Sequence, residues 1–203
     1  MKIQVLIAAA SQAGYAEEIC SLLEISAQQR GTGIARRSPD YIRRKIETGN
    51  AIIALTDGGQ LAGFCYIEIW SHGKYVANSG LVVAHEFRQF GLAKQIKRRV
   101  FDLARDKYPS AKVFGITTSL AVMKINSELG YKPVTFSELT QDETFWDGCQ
   151  SCPNFDILTR CGRKMCLCTG MLAPSKIEEM EAENEKISLV DMILNNETAA
   201  VAA

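Results

Sequence analysis

The stretch "GLVVAHEFRQFGLAK", residues 80–94, holds the parts of an anion-binding site. An apolar run ends at Val83, a short break carries Arg88, Gln89, Phe90 and Gly91, and a basic segment then runs to Arg99. From Gly91 onward, Leu92, Ile96, Val100, Leu103 and Ala104 fall on one face of a helix. The first N–H groups of such a helix have no partner within it and point outward with the positive end of its dipole. A phosphate is stabilised there, and Gly91 lets it approach the backbone because no Cβ intrudes. Arg88, Lys94 and Arg98 add charge at the rim. A solvated basic face is the plainer reading of the cations alone; strand end, glycine turn and cations together favour a phosphate.

A second set of residues is built of sulfur. Cys149-x-x-Cys152 is followed, after thirteen residues, by Cys166-x-Cys168. Four thiolates at such positions can hold a structural zinc tetrahedrally; the other reading is a set of buried free thiols, with Cys161 as a spare. Five of the seven cysteines lie between Cys149 and Cys168. That clustering suits reduced thiols and a cytoplasmic location better than a secreted disulfide framework. A third set can move protons or hold carboxylates. Glu68 sits in a strand-like run, and His72 and His85 lie beside turns. Arg36 and Arg37 directly precede Ser38, a helix-capping residue. Cations there oppose the helix dipole and are locally unfavourable unless an anion binds beside them.

These residues need a frame. The chain has 203 residues with 47% hydrophobic content, enough for one sizeable core. Its 23 basic and 23 acidic residues cancel. Residues 174–203 hold two lysines and seven acids, leaving 21 basic against 16 acidic residues before them. The body is mildly basic and the tail acidic. No apolar run approaches the ~20 residues of a membrane span, and the opening "MKIQVLIAAA" reads as a first strand rather than a signal peptide. The basic residues lie beside a glycine turn without interleaved aromatics, which argues against nucleic acid as partner.

Residues 2–9 read as a strand and 15–29 as a helix. Ser38, Pro39 and Asp40 start a second helix that Gly49 ends. "AIIALTD" and "LAGFCYIEIW" form a hairpin about Asp57-Gly58-Gly59, and "KYVANSGLVV" is a third strand. The basic helix, the strand "KVFGITTSL" and the helix "AVMKINSELG" follow. "KPVTFSEL" and "NFDILTR" read as two later strands, and the acidic end as a short helix with a loose "NNETAAVAA" terminus. The expectation is a single α/β domain with a mixed, mostly antiparallel sheet flanked by helices: a core over 1–148, a Cys-rich strand segment over 149–173 and a tail over 174–203.

The pattern Arg88-x-x-Gly91-x-Ala93 resembles the pyrophosphate loop of the GNAT acyl-CoA N-acyltransferases, and the element order from residue 1 to about 160 is similar to that family's fold. The resemblance implies acetyl-CoA, or succinyl-CoA, as cosubstrate. Leu81, Val82 and Val83 would align the pantetheine arm, with a backbone N–H near Leu81 on the thioester carbonyl and then the oxyanion. Arg88, Gln89, Phe90, Gly91, Leu92, Ala93 and Lys94 would hold the pyrophosphate. Where many members place a catalytic Glu, this chain has Ala77, and where many place a Tyr in the later helix it has Asn126. Glu68 is then the candidate base, and Asn126 a donor to the leaving sulfur. "ARRSPDYIRRKI" is further similar to the acyltransferase module of N-acetylglutamate synthases. That likeness implies a small acidic acceptor held by Arg36, Arg37 and Arg160, with L-glutamate in arginine biosynthesis as the first choice. A homodimer fits this reading. The competing reading is a non-catalytic module that binds acyl-CoA, or holds a partner through its cysteine segment.

Overall fold

In the computed structural model the described residues are 2–30 and 36–201; residues 31–35, with the Gly31-Thr32-Gly33 stretch, fall outside them. The order of elements is β1 (Ile3–Ile7), α1 (Ala16–Arg30), α2 (Pro39–Glu47), β2 (Ala51–Thr56), β3 (Leu61–Trp70), β4 (Tyr75–Val83), α3 (Leu92–Lys107), β5 (Lys112–Thr117), α4 (Leu120–Glu128), β6 (Lys132–Val134), α5 (Glu143–Asp147), α6 (Phe155–Arg160), β7 (Thr169–Ala173) and α7 (Lys176–Val201). One sheet carries the strands in the order β1-β2-β3-β4-β5-β7-β6. Among the strands of the described residues only the β4–β5 pair is parallel.

Both faces of the sheet are covered, and the alternation of the strands shows why. Ile52 and Ala54 of β2 and Cys65 and Ile67 of β3 face α3, where Leu92, Ile96 and Val100 meet them. Ala51 and Ile53, with Phe64 and Tyr66, face the opposite way onto Ile19 and Leu23 of α1 and Ile42 and Ile46 of α2. Side chains at a period of two feed two cores from the same strands. A third apolar group, with Phe114, Phe136, Leu139, Trp146 and Leu158, packs under the segment that crosses from β6 to β7.

Helix ends are where the sequence signals put them. Ser38 caps α2 by accepting from the Tyr41 N–H at 3.2 Å, and Pro39 opens the first turn. Gly91, at φ +71°, caps α3 in the left-handed region.

Two expectations fail near the C-terminus. "NFDILTR" is the helix α6, and the final strand is the later "TGMLA" of β7. Phe155 and Leu158 are three apart, so a short run that alternates on paper also has helical spacing. Thr159 bonds back to the Phe155 carbonyl at 2.6 Å, and Asp156 pairs with Arg160 one turn on. "KPVTFSEL" is strand only over β6, because a single helical turn follows at Phe136–Glu138. The acidic end carries α7.

Removing the α2 cap tests this local account. Ser38→Ala should lower stability by about 1 kcal/mol, read as a lower denaturant midpoint at unchanged slope. An unchanged midpoint would mean that packing of Ile42 and Ile46 alone sets this helix.

Candidate active site

The site begins where the sheet stops being a sheet. The parallel ladder of β4 and β5 covers only Tyr75–Ala77 against Lys112–Phe114. Beyond it β4 runs on to Val83 beside β3, and β5 runs on to Thr117 beside β7. The two strands separate, and a cavity of about 470 Å³ opens in the gap. Its walls include Asn78 to Leu81 of β4 and Gly115 to Thr117 of β5. Backbone groups on the facing edges have lost their ladder partners, and such groups call for others.

A bulge lies on β4 within this gap. Phe64 pairs with Val82 and Tyr66 with Ser79, so Gly80 and Leu81 together face Cys65. Gly80 has φ +65°, and a Cβ there would lie 2.5 Å from the Tyr66 ring. Only glycine combines this conformation with so close an approach. The bulge re-aims the backbone at Leu81, where a thioester-binding N–H is expected. Gly80→Ala should cost at least about 1 kcal/mol of stability and weaken CoA binding in calorimetry. Wild-type stability together with wild-type affinity would remove the bulge from the site.

The glycine turn lies at the open end of the same strand. Gln89, at φ +73°, and Gly91 both adopt left-handed conformations, and a Cβ at Gly91 would meet nothing within 4 Å. Phe90 is 71% exposed. Arg88 folds back, its Nε donating to the Val83 carbonyl at 3.2 Å, and so ties the loop to β4. Lys94 pairs with Glu128 of α4 at 2.6 Å. Leu92 and Val82 are core residues, with Val83 beside them, and Ala93 packs at the core edge.

The other wall carries the charged residues. Glu68 of β3 is buried and lies directly across from Ala77, at the apex of the gap. It thus stands beside the position where the sequence lacks the expected carboxylate. Tyr41 of α2 donates its hydroxyl to the Glu68 Oε1. Burial first, then Tyr66 and Glu68, hold the Tyr41 phenol far above its ordinary value. It is a proton donor to the carboxylate throughout the neutral range. The Arg37 Nε donates to the Tyr66 hydroxyl at 2.8 Å, and its guanidinium stands 5.4 Å from the Tyr41 ring centroid. Arg36 lines the cavity too, and its backbone N–H donates to Ser151. Asp40 does not pair with these arginines but with Arg43, at 2.5 Å.

Not every candidate converges. Arg160 of α6 does not line the cavity; it is exposed and pairs with Asp156 at 3.4 Å. Arg163 pairs with Glu143. His72 and His85 are exposed and also lie off the cavity wall. Asn126 of α4 does line it, wholly buried, but its Nδ2 donates to the Met171 sulfur at 3.5 Å and its Oδ1 has no partner. It offers the cavity an acceptor rather than the expected donor.

All four cysteines line the cavity. Among the described residues, however, no three His, Cys, Asp or Glu side chains are grouped so that they could hold a metal ion. Burial, and then Cys152 and Cys166, push the Cys149 thiol up to about 11. Burial, Cys166, Cys152 and Cys149 push Cys168 up to about 12. Without a bound metal ion both are uncharged thiols at neutral pH, in an apolar wall with Trp146 and Leu158. Alkylation at pH 7.5, mapped by mass spectrometry, should be at least about tenfold slower at these two than at a free cysteine. Equal rates would show thiolates. Metal analysis of protein purified without chelator checks the same point, since one zinc per chain on these sulfurs requires thiolates.

A sheet that opens between parallel neighbours, with a strand bulge and a glycine-capped helix on one wall, has known counterparts. The acetyltransferase (GNAT) family pattern matches residues 16–121, just over half of the chain. The chain belongs to this family, whose class of reaction is acyl transfer from acyl-CoA to an amine. No curated protein matches it by sequence. Among solved structures, it is similar to N-acetylglutamate synthase from Neisseria gonorrhoeae complexed with coenzyme A and N-acetyl-glutamate. That likeness has a TM-score of 0.61 at 17% identity and covers 86% of this chain and 35% of that one. The chain therefore spans about a third of the length of the gonococcal synthase. A Mycobacterium tuberculosis protein in complex with CoA gives a TM-score of 0.60 at 16% identity, over 84% of this chain and 98% of that one. A phosphinothricin acetyltransferase from Sinorhizobium meliloti in complex with AcCoA gives 0.57 at 15%, over 86% and 89%. At these identities the likeness is one of fold. Among the described residues no helix is long and apolar enough to cross a membrane.

Proposed function

We propose that this chain transfers an acetyl or succinyl group from acyl-CoA to the α-amine of a small acidic amino acid, with L-glutamate, at the entry to arginine biosynthesis, as the first candidate. The observation that carries the reading is the meeting of Arg37, Tyr41 and Glu68 at the apex of the gap between β4 and β5. The expected loop Arg88–Lys94 at the helix start takes the pyrophosphate, and the bulge at Gly80–Leu81 takes the thioester carbonyl. In the neutral amine acceptor the nitrogen lone pair attacks the carbonyl carbon, and Glu68 receives the amine proton directly or through water. Tyr41 keeps that carboxylate oriented. Arg36 and Arg37 hold the acceptor carboxylate, Arg37 with a fork already positioned by the Tyr66 hydroxyl. The share of the rate that comes from positioning alone does not depend on any ionisable group.

Steady-state kinetics with L-glutamate and neutral amines, using acetyl-CoA and succinyl-CoA, test the proposal. Glutamate should be the better acceptor. Arg37→Ala and Arg36→Ala should each lose about 2 kcal/mol or more in kcat/KM for glutamate, with little change in KM for acyl-CoA. Arg37→Lys, which lacks the fork, should restore only part of the loss. Glu68→Gln should reduce kcat by about 100-fold or more; wild-type rates from pH 7 to 9 would remove Glu68 as the base. Glutamate no better than neutral amines would overturn the acceptor.

A further inference from the structure

Lys97 has no part in the core packing that its helix otherwise supplies, nor in the rim of the glycine loop. It is 2% exposed, on the inner face of α3 beside Ile96 and Val100, and it lines the cavity. A side chain with this much entropy and a charged tip is buried at high cost unless something holds the tip. Its recorded partners are neutral. The ammonium donates to Asn78 Oδ1 at 3.3 Å and stands 5.4 Å from the Tyr131 ring centroid. Asn78 Oδ1 also accepts from the Tyr131 hydroxyl at 2.7 Å. That acceptor is therefore shared, while the ammonium has three N–H groups to place. Asn78 Nδ2 is buried and has no acceptor at all.

The position of this cluster matters as much as its chemistry. Asn78 is the first residue of β4 beyond the β4–β5 ladder, and Gly115 is the first of β5. The Lys97 Nζ lies 4.0 Å from where a Gly115 Cβ would stand. The ammonium and the Asn78 amide therefore enter the gap from the α3 side just where the strands part. Two buried donors short of acceptors, one of them cationic, specify an anionic atom between the strands. In acyl transfer from a thioester two anions form in the gap, the carbonyl oxyanion, for which the backbone at Leu81 is the expected donor, and the departing sulfur, which has no donor assigned to it.

We propose that Lys97 is a catalytic residue, whose ammonium stabilises and protonates the CoA sulfur as the acyl group leaves. This rests on the acyl-CoA reading of the cavity. The new nitrogen–carbon bond forms, the carbon–sulfur bond breaks, and its electron pair leaves on sulfur. A proton passes from Nζ to sulfur to give CoA thiol, and the neutral amine of Lys97 is reprotonated from solvent through the cavity mouth. Asn78 places the Nζ and donates its own free N–H to the sulfur. Burial lowers the Lys97 pKa, which brings its acidity nearer that of a thiol and eases the transfer. The Cys65 thiol, raised to about 11 by burial, and the Tyr131 phenol, raised well above its ordinary value by burial, stay protonated beside it.

The test needs no acceptor. CoA bound to the wild-type protein is titrated by its thiolate absorbance, with the desulfo-CoA complex as blank, and its affinity is measured by calorimetry. The bound thiol should ionise about one to three pH units below free CoA. Lys97→Met should abolish that shift while CoA affinity at pH 6 changes by less than about fivefold, and Lys97→Arg should keep most of it. Lys97→Gln serves if the Met variant does not fold. A bound thiol that ionises where free CoA does, or an unchanged shift in the Met or Gln variant, overturns the assignment of Lys97. No CoA binding by the wild type overturns the acyl-CoA reading and this inference with it.

Discussion

The structure turns on one break in hydrogen bonding. Two parallel neighbours, β4 and β5, pair for three residues each and then part. Each strand stays anchored on its far side, β4 by β3 and β5 by β7. Each strand is thus held away from the other by an antiparallel ladder on its outer side. Its edges carry backbone donors and acceptors without ladder partners, which suits an extended amide-containing chain lying between them. The bulge at Gly80 lines the gap, and the helix start at Gly91 lies beyond the end of the same strand. Position, rather than any single side chain, makes this place a site.

Around that gap the charges are arranged in two separate groups. On the α2 side, two hydrogen-bonded pairs, Arg37 with Tyr66 and Tyr41 with Glu68, stand against one another, the two tyrosine rings edge to face at 5.9 Å. Burying either charge alone would be costly, and the tyrosines between them supply the missing hydrogen bonds. Burial holds both phenols well above their ordinary values, so they keep their protons near neutral pH. On the α3 side, Lys97 has only neutral company.

The segment from β6 to β7 closes the cavity on its remaining side. Phe136, Trp146 and Leu158 fix it to the sheet through Phe114 and Ala77. The Trp146 indole N–H donates to the Thr140 carbonyl at 2.9 Å, which orients the ring in that wall. The thiols of Cys149 and Cys168 add to an apolar surface here and leave the charged work to the opposite wall.

Local patterns along the chain were enough for much of this. The apolar runs of β2 and β3 about Asp57-Gly58-Gly59, the cap Ser38-Pro39-Asp40 and the apolar spacing after Gly91 each depend on neighbours in sequence, and each formed as expected. The glycine loop was legible for the same reason, since a strand end, a turn and a helix start are contiguous. Short segments with two compatible periods were not legible, and α6 became a helix because Leu158 had an apolar wall to face. The site itself depended on tertiary structure. That Glu68 stands across from Ala77 follows from strand register, which is set by the turn between Trp70 and Tyr75, whose length the sequence did not fix. That Lys97 enters the cavity follows from how α3 lies on the sheet; in sequence it is one basic residue among several. Arg36, Arg37 and Arg160 are equally cationic on paper, yet only the first two reach the cavity, because contacts between residues far apart in the chain determine which charges share a dry space.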